Sequence, residues 1–382
     1  MTVIVILVCF FLSAFFHQGL YIIIPILSFL HISLKKQAIL TLNPISKTYA
    51  YVVFFCLCFV AIQTLLFFEL NMFSLKGCLR FVAYFFFAVL VSYTTIDNIK
   101  KVFMLIALYF LITLPMSFFQ VYLDWNWGRY KNIFEHSNHL AYVLTMCIYF
   151  MVFHNPFKKM YLYIVILFTL FLSLLLTKST GGLLVVLTLV LYNAIKTKKV
   201  SFIKKTVFFT ILLLLALLVI NSSDKISEQI SSIDFLTWEF IKDRVDIYTI
   251  DGVNRAGGYG SFVWRIIYWS KLIFTFFSES FFTMLFGLGV DHLTKGYLPY
   301  EFMDKDPHND FVKVLLEYGV LGVILFLGFF KRIYKFTCKN FNIVIMAAIP
   351  MFFGNAIVNY PFNITLILIL IYEYKKCHSK IN

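Results

Sequence analysis

The sequence predicts an all-α polytopic membrane protein of about 12 transmembrane helices with one long helical periplasmic loop. Three observations predict it. The 382 residues are 61% hydrophobic and only 14% charged, whereas soluble domains are about half apolar and about a quarter charged. Apolar runs long enough to cross a bilayer as helices recur along most of the chain. Basic pairs fall between alternate runs, as short cytoplasmic loops require. This composition excludes a water-soluble globule, a disordered chain and a secreted disulfide scaffold.

The candidate spans are 2–16, 19–34, 49–68, 76–95, 102–122, 138–154, 160–176, 183–195, 205–220, 311–330, 341–358 and 361–373. Met1-Thr2-Val3-Ile4 carries no basic stretch, so the first run reads as a span rather than a cleaved signal. His17-Gln18-Gly19 offers a turn between the first two runs. Pro361 can open the last helix. Lys35-Lys36, Lys100-Lys101, Lys158-Lys159, Lys331-Arg332 and Lys375-Lys376 then share the cytoplasmic side with both termini. The net charge of +14 is thus a topology signal, and no nucleic-acid partner is expected. Membrane lipid is the expected surroundings.

Three regions follow: 1–220 as the first part of the bundle with about nine spans, 221–310 as a large periplasmic cap, and 311–382 as the last three spans with a cytoplasmic tail. The cap holds thirteen of the 19 acidic residues. Loops of such length without a fold of their own are uncommon and usually functional. Arg265 to Phe286 reads as one aromatic helix, lying in the interface or dipping into the bundle and ended by Gly287-Leu288-Gly289. The seven cysteines avoid the cap, so no disulfide framework is expected.

The sharpest local feature is Asp306-Pro307-His308-Asn309-Asp310. Asp306 suits a helix N-cap and Pro307 the first helical position. His308 would then lie in the first turn, where the helix dipole disfavours imidazolium and leaves a neutral imidazole suited to general-base work. Lys313 and Glu317 follow at a spacing that allows an ion pair. Gly319 and Gly322 would let another helix approach closely. Arg80 sits inside a span, where a charge is costly, and is expected to face the bundle interior or a wet cavity. His136 and His139 lack a third convergent ligand, so no metal is expected. His17, His31, His154 and His378 read as interfacial or tail residues.

Three segments carry a resemblance. His308-Asn309, nine residues, Gly319, two residues and Gly322 resemble the H-[NSQ]-x9-G-x2-[GTY] signature of the O-antigen ligase and polymerase superfamily. The run from Gly128-Arg129 to Asn138-His139-Leu140-Ala141 resembles that family's R-x-x-G-x-F-x-x-x-N-x-L-A stretch, with Asn132 where glycine is usual. Phe262 to Trp269, followed by Leu285-Phe286-Gly287-Leu288-Gly289, resembles the loop segment that carries a functional arginine. The family's Ser-Arg-Gly/Ala turn is replaced by Lys178-Ser179-Thr180-Gly181, with Thr180 at the arginine position and Lys178 on the other side of Ser179.

The resemblance implies a metal-independent glycosyltransferase of the bacterial inner membrane, multi-pass, with no cofactor and an active site facing the periplasm. The donor it implies is a glycan on undecaprenyl pyrophosphate. His308 would be the base. Arg265, Arg129, Lys178, Asn309, Asn138 and Arg80 are the residues expected to bind the substrate and its pyrophosphate. A polymerase of O-antigen or capsule repeat units is the leading reading, with a chain-length regulator protein as an expected partner. An O-antigen ligase acting on lipid A–core is the alternative. A transporter or flippase is the third reading, disfavoured because no paired repeats are visible.

Overall fold

The computed structural model describes residues 1–15, 20–34, 42–67, 72–122, 128–196, 237–246, 260–290, 300–303 and 306–379. The described residues are helical with no strand: α1 Thr2–Phe15, α2 Leu20–Leu34, α3 Pro44–Phe67, α4 Met72–Ser92, α5 Ile96–Tyr122, α6 Ser137–His154, α7 Met160–Leu176, α8 Thr180–Lys196, α9 Trp238–Asp246, α10 Gly260–Phe277, α11 Phe281–Phe286, α12 Asp310–Phe336, α13 Phe341–Phe353 and α14 Tyr360–His378. Eleven of the twelve predicted spans coincide with helices, and 205–220 lies outside the described residues. Among the described helices, four are long and apolar enough to cross a membrane, at Pro44–Leu66, Ser74–Ser92, Ile96–Tyr122 and Asp310–Phe336. The remaining apolar helices are shorter.

Two helices form the centre. Leu140 to Met151 of α6 and Tyr360 to Glu373 of α14 are buried without interruption, the mark of a helix enclosed on all sides rather than on one stripe. They pack on each other, and α14 also meets α1, α4 and α5. Asn359 caps α14 by accepting the Phe362 N–H at 3.1 Å, with Pro361 in its first turn. The ends of α1 and α2 meet through Thr2 and His31 at 3.0 Å, so these are two antiparallel helices rather than one tilted span. At the basic end of the bundle the Lys375 ammonium donates to the free carbonyls of Ser92 and Thr94, where α4 stops.

The expected helix from Arg265 to Phe286 is two helices. The chain breaks at Ser278–Ser280, and the Ser280 hydroxyl accepts the Thr283 N–H to cap α11. The 286–290 segment then enters the bundle and resolves a second break. Helix α12 is interrupted at Gly319, with φ 67° and ψ −168°, a conformation open only to glycine. The interruption frees carbonyls that hydrocarbon cannot satisfy. The Leu288 N–H takes the Leu316 carbonyl at 2.7 Å, and the buried Gln63 amide of α3 donates to Glu317 and Phe286 carbonyls at 2.9 and 2.7 Å. A Cβ on Gly287 would overlap the Glu317 carbonyl, and one on Gly319 the Leu285 carbonyl. The signature glycine therefore admits a backbone segment of the cap, and not simply a neighbouring helix.

One cysteine expectation changes. Cys338 and Cys377 pair as a disulfide joining the ends of α12 and α14. No disulfide framework was expected because the cysteines avoid the cap. Cys56 and Cys78 meet at 2.9 Å as free thiols between α3 and α4.

Candidate active site

The start of α12 differs from its sequence reading. Asn309, not Asp306, is the N-cap, and its side-chain oxygen accepts the Phe311 and Val312 N–H groups at 2.9 and 3.2 Å. Asp306 instead forms a turn of its own. One carboxylate oxygen takes the His308 N–H at 3.0 Å, and the other takes the Lys313 ammonium at 2.8 Å. A short side chain binding the backbone two residues on competes with helix start. His308 therefore precedes the helix and adopts a left-handed backbone, φ 51°, which histidine visits more readily than most residues. The Trp269 indole fixes this loop by donating to the Pro307 carbonyl at 2.6 Å. Lys313 also stands 3.9 Å from Glu317, the ion pair the spacing predicts.

The α13–α14 link ties His308 to Arg265. The Arg265 guanidinium on α10 donates to the Phe353 carbonyl at 3.4 Å, while its Nε is buried without a partner. Two residues on, the Asn355 amide lies 3.2 Å from His308 Nδ1. Asp310 is fully buried and accepts the Ile357 N–H at 2.8 Å through one oxygen. Its other oxygen and the Asn355 oxygen are buried without partners.

Arg129 arrives from the α5–α6 loop. It donates to the Thr177 carbonyl at 3.0 Å and to Asn138 at 2.9 Å. Burial pushes its guanidinium below the usual range, and the nearby Arg265 adds to this. The two cations thus lie within electrostatic reach of each other, a repulsion that an anion between them would relieve. The Tyr142 hydroxyl feels both arginines and fills the space beside Gly181 and Gly354.

Lys178 makes the left-handed turn between α7 and α8, φ 49°, directly after Thr177. Ser179 accepts the Gly182 N–H at 3.3 Å to cap α8. Asn132 takes φ 52°, the backbone that glycine would supply at this place in the resembled motif, and it binds Tyr109 and Thr113.

Arg129, Asn138, Lys178, Arg265 and His308 therefore converge on one end of the bundle. Asn309 adjoins them, with its oxygen occupied by the helix cap. Arg80 does not join the cluster. It faces the bundle interior as expected and lines a cavity of about 440 Å³ with Lys313, Glu317 and largely apolar neighbours of α3, α4 and α12. Cavity and cluster share walls, because Lys313 pairs with Asp306 below His308 and Ile357 lines the cavity two residues after Asn355. His136 and His139 meet edge to face at 5.2 Å, and among the described residues no group of His, Cys, Asp or Glu could hold a metal.

Sequence reasoning missed Asn355, Asp310 and Tyr142. Asn355 and Tyr142 stand alone in apolar runs, where only the fold brings them to the arginines. Asp310 was counted with the acidic cap, although it is buried under the link.

Residues 165–327 match the family model described as O-antigen ligase. The match takes in Lys178, Arg265, His308, Gly319 and Gly322, and it stops short of Arg129 and Asn138 on one side and Asn355 on the other. No curated protein matches the chain.

Proposed function

We propose that the chain, whose residues 165–327 match the family model described as O-antigen ligase, polymerises glycan repeat units from an undecaprenyl-pyrophosphate donor on the periplasmic face of a bacterial inner membrane. The observation that carries this reading is that Arg265 and His308 bind the same α13–α14 link, at Phe353 and Asn355, with Arg129 within electrostatic reach of Arg265. An acceptor sugar hydroxyl attacks C1 of the donor glycan. His308 takes the hydroxyl proton as the new C–O bond forms. The bond from C1 to the phosphate oxygen breaks, and both its electrons leave with the prenyl pyrophosphate. Arg129 and Arg265 hold the negative charge that grows there, by paired hydrogen bonds that a guanidinium fork suits. Lys178 adds a third positive charge. The cavity between α3, α4 and α12 takes part of the prenyl chain, with Arg80 and Lys313 near its polar wall.

The ligase reading is favoured by one finding, the description of the matched family model. The two differ in acceptor and not in chemistry. Deleting the gene and separating the glycans on a gel distinguishes them. A single repeat on the lipid A–core means polymerase, and bare core with lipid-linked polymer means ligase. Complementation with His308→Ala should restore protein to the membrane but no long glycan. A normal glycan ladder from that variant would remove His308 as the base.

A further inference from the structure

We infer that the Tyr142 hydroxyl of α6 is a neutral hydrogen-bond donor to the substrate diphosphate, set between Arg129 and Arg265. The inference deepens the proposed function and rests on it. Tyr142 belongs to a central helix and is 2% exposed, with its ring edge to face on Phe362 of α14. Its hydroxyl lies in a slot between two glycines from different elements. A Cβ on Gly181, in the first turn of α8, would stand 3.0 Å from the hydroxyl oxygen, and one on Gly354, just past α13, 2.9 Å from it. These glycines adjoin the two carbonyls that hold the arginines. Arg129 donates to Thr177 at the α7–α8 turn, and Arg265 donates to Phe353, the neighbour of Gly354. The hydroxyl is thereby placed between the two arginine anchors, and both guanidinium groups are within its electrostatic reach.

A buried tyrosine hydroxyl ordinarily finds a partner. Among the described residues none is hydrogen-bonded to this one. The Asp310 carboxylate is also within electrostatic reach, and one of its oxygens is taken by the Ile357 N–H. The Arg265 Nε is a second buried donor without a partner. Two unpaired donors beside two guanidinium groups call for an acceptor that carries negative charge. A phenol suits the place between two arginines because it donates without adding a charge to their mutual repulsion. It keeps its proton throughout, and its part is to hold a phosphate oxygen as charge grows there.

The test uses the full chain in lipid nanodiscs. Turnover is followed with lipid-linked glycan extracted from the gene-deletion strain, and inorganic pyrophosphate is titrated as an inhibitor that stands in for the leaving group. Tyr142→Phe removes the hydroxyl and keeps the ring. It should lower turnover, and raise the pyrophosphate concentration for half inhibition, each by about 10- to 100-fold, the range for a hydrogen bond to a charged group. The unfolding temperature should change little. Unchanged inhibition by pyrophosphate would overturn the inference, whatever the turnover. Gly181→Ala gives a second check, because its methyl displaces the hydroxyl, while its other contacts, at 3.4 Å, are ordinary. It should lower turnover in the unaltered chain and add little in Tyr142→Phe, since residues that act through one contact are not additive. Equal losses in both backgrounds would also overturn it. A failure of the proposed function reads differently. An unaltered chain that transfers no glycan removes function and inference together, whereas transfer inhibited equally in both chains removes only the role of Tyr142.

Discussion

His154 and His308 occupy opposite ends of the bundle, and their surroundings differ in how fully polar groups are paired. His154 Nε2 meets Glu373 at 2.6 Å and its Nδ1 meets the Lys376 ammonium at 2.9 Å. An ammonium only donates, so Nδ1 accepts and Nε2–H points to the carboxylate. The Tyr149 hydroxyl adds a bond to Glu373, and Asn340 donates to Tyr149. Both ring nitrogens are engaged in a closed network. Around His308, by contrast, one oxygen of Asp310, the oxygen of Asn355 and the Nε of Arg265 are buried without partners. Buried polar groups are ordinarily satisfied, and each exception needs a reason. On the function proposed above, a substrate anion would meet the Arg265 guanidinium, whereas both ring nitrogens of His154 are already engaged. Sequence alone presented His154 as an interfacial residue. Its side chain is 3% exposed, because Glu373 lies 219 residues later and no local pattern couples them.

The comparison breaks most directly at Glu373. Glu373→Ala leaves the His154 Nε2–H and the Tyr149 hydroxyl without their acceptor beside a half-buried ammonium, which costs about 1–3 kcal/mol of stability. Heating the purified protein in detergent should show aggregation at a much lower temperature. Turnover per folded molecule should stay that of the unaltered chain, and a specific loss of turnover would mean that the two ends are coupled.

Arg265→Ala tests the opposite end. Removing a donor aimed at developing charge lowers turnover by about 10²–10³-fold, with the unfolding temperature little changed, since Arg265 makes one long hydrogen bond to the protein. A large fall in stability with normal turnover would assign Arg265 a structural role. Asn138→Ala should do less. It removes one charge-assisted bond on Arg129, worth about 1.5–3 kcal/mol, while Thr177 still holds the guanidinium. Turnover should fall about 10-fold, and an effect as large as that of Arg265→Ala would mean that Asn138 touches the substrate itself.

What could be read from the sequence follows from the range of each physical signal. Hydropathy is local and continuous, so the spans and the inward-facing Arg80 were legible. The arginines and His308 were legible because they sit in compact motifs. The start of α12 was misplaced because Asp306 and Asn309 are both good caps, and the choice between them is made by Lys313 and Trp269. The break at Gly319 was invisible because a glycine permits it but only the inserted 286–290 segment and Gln63 satisfy it. Asn355 lies 47 residues from His308, with nothing local to mark it.

The smallest expected effect concerns the α7–α8 turn, where this chain departs from the resembled family. Lys178 and Thr180 flank Ser179, which caps α8, so both stand at the helix end that favours an anion. Lys178 follows the carbonyl that holds Arg129. If its charge replaces the missing arginine, Lys178→Ala should lower turnover by a few-fold, since an ammonium without the bidentate fork contributes less than a guanidinium. Placing the fork back with Thr180→Arg in the Lys178→Ala background should then restore turnover, and should do so most clearly at low ionic strength, where a partly exposed charge is least screened. Rescue would assign the turn to the pyrophosphate-binding end with the arginines. A Lys178→Ala variant with full turnover would confine that end to Arg129, Arg265 and His308, and would make the left-handed lysine a feature of the turn alone.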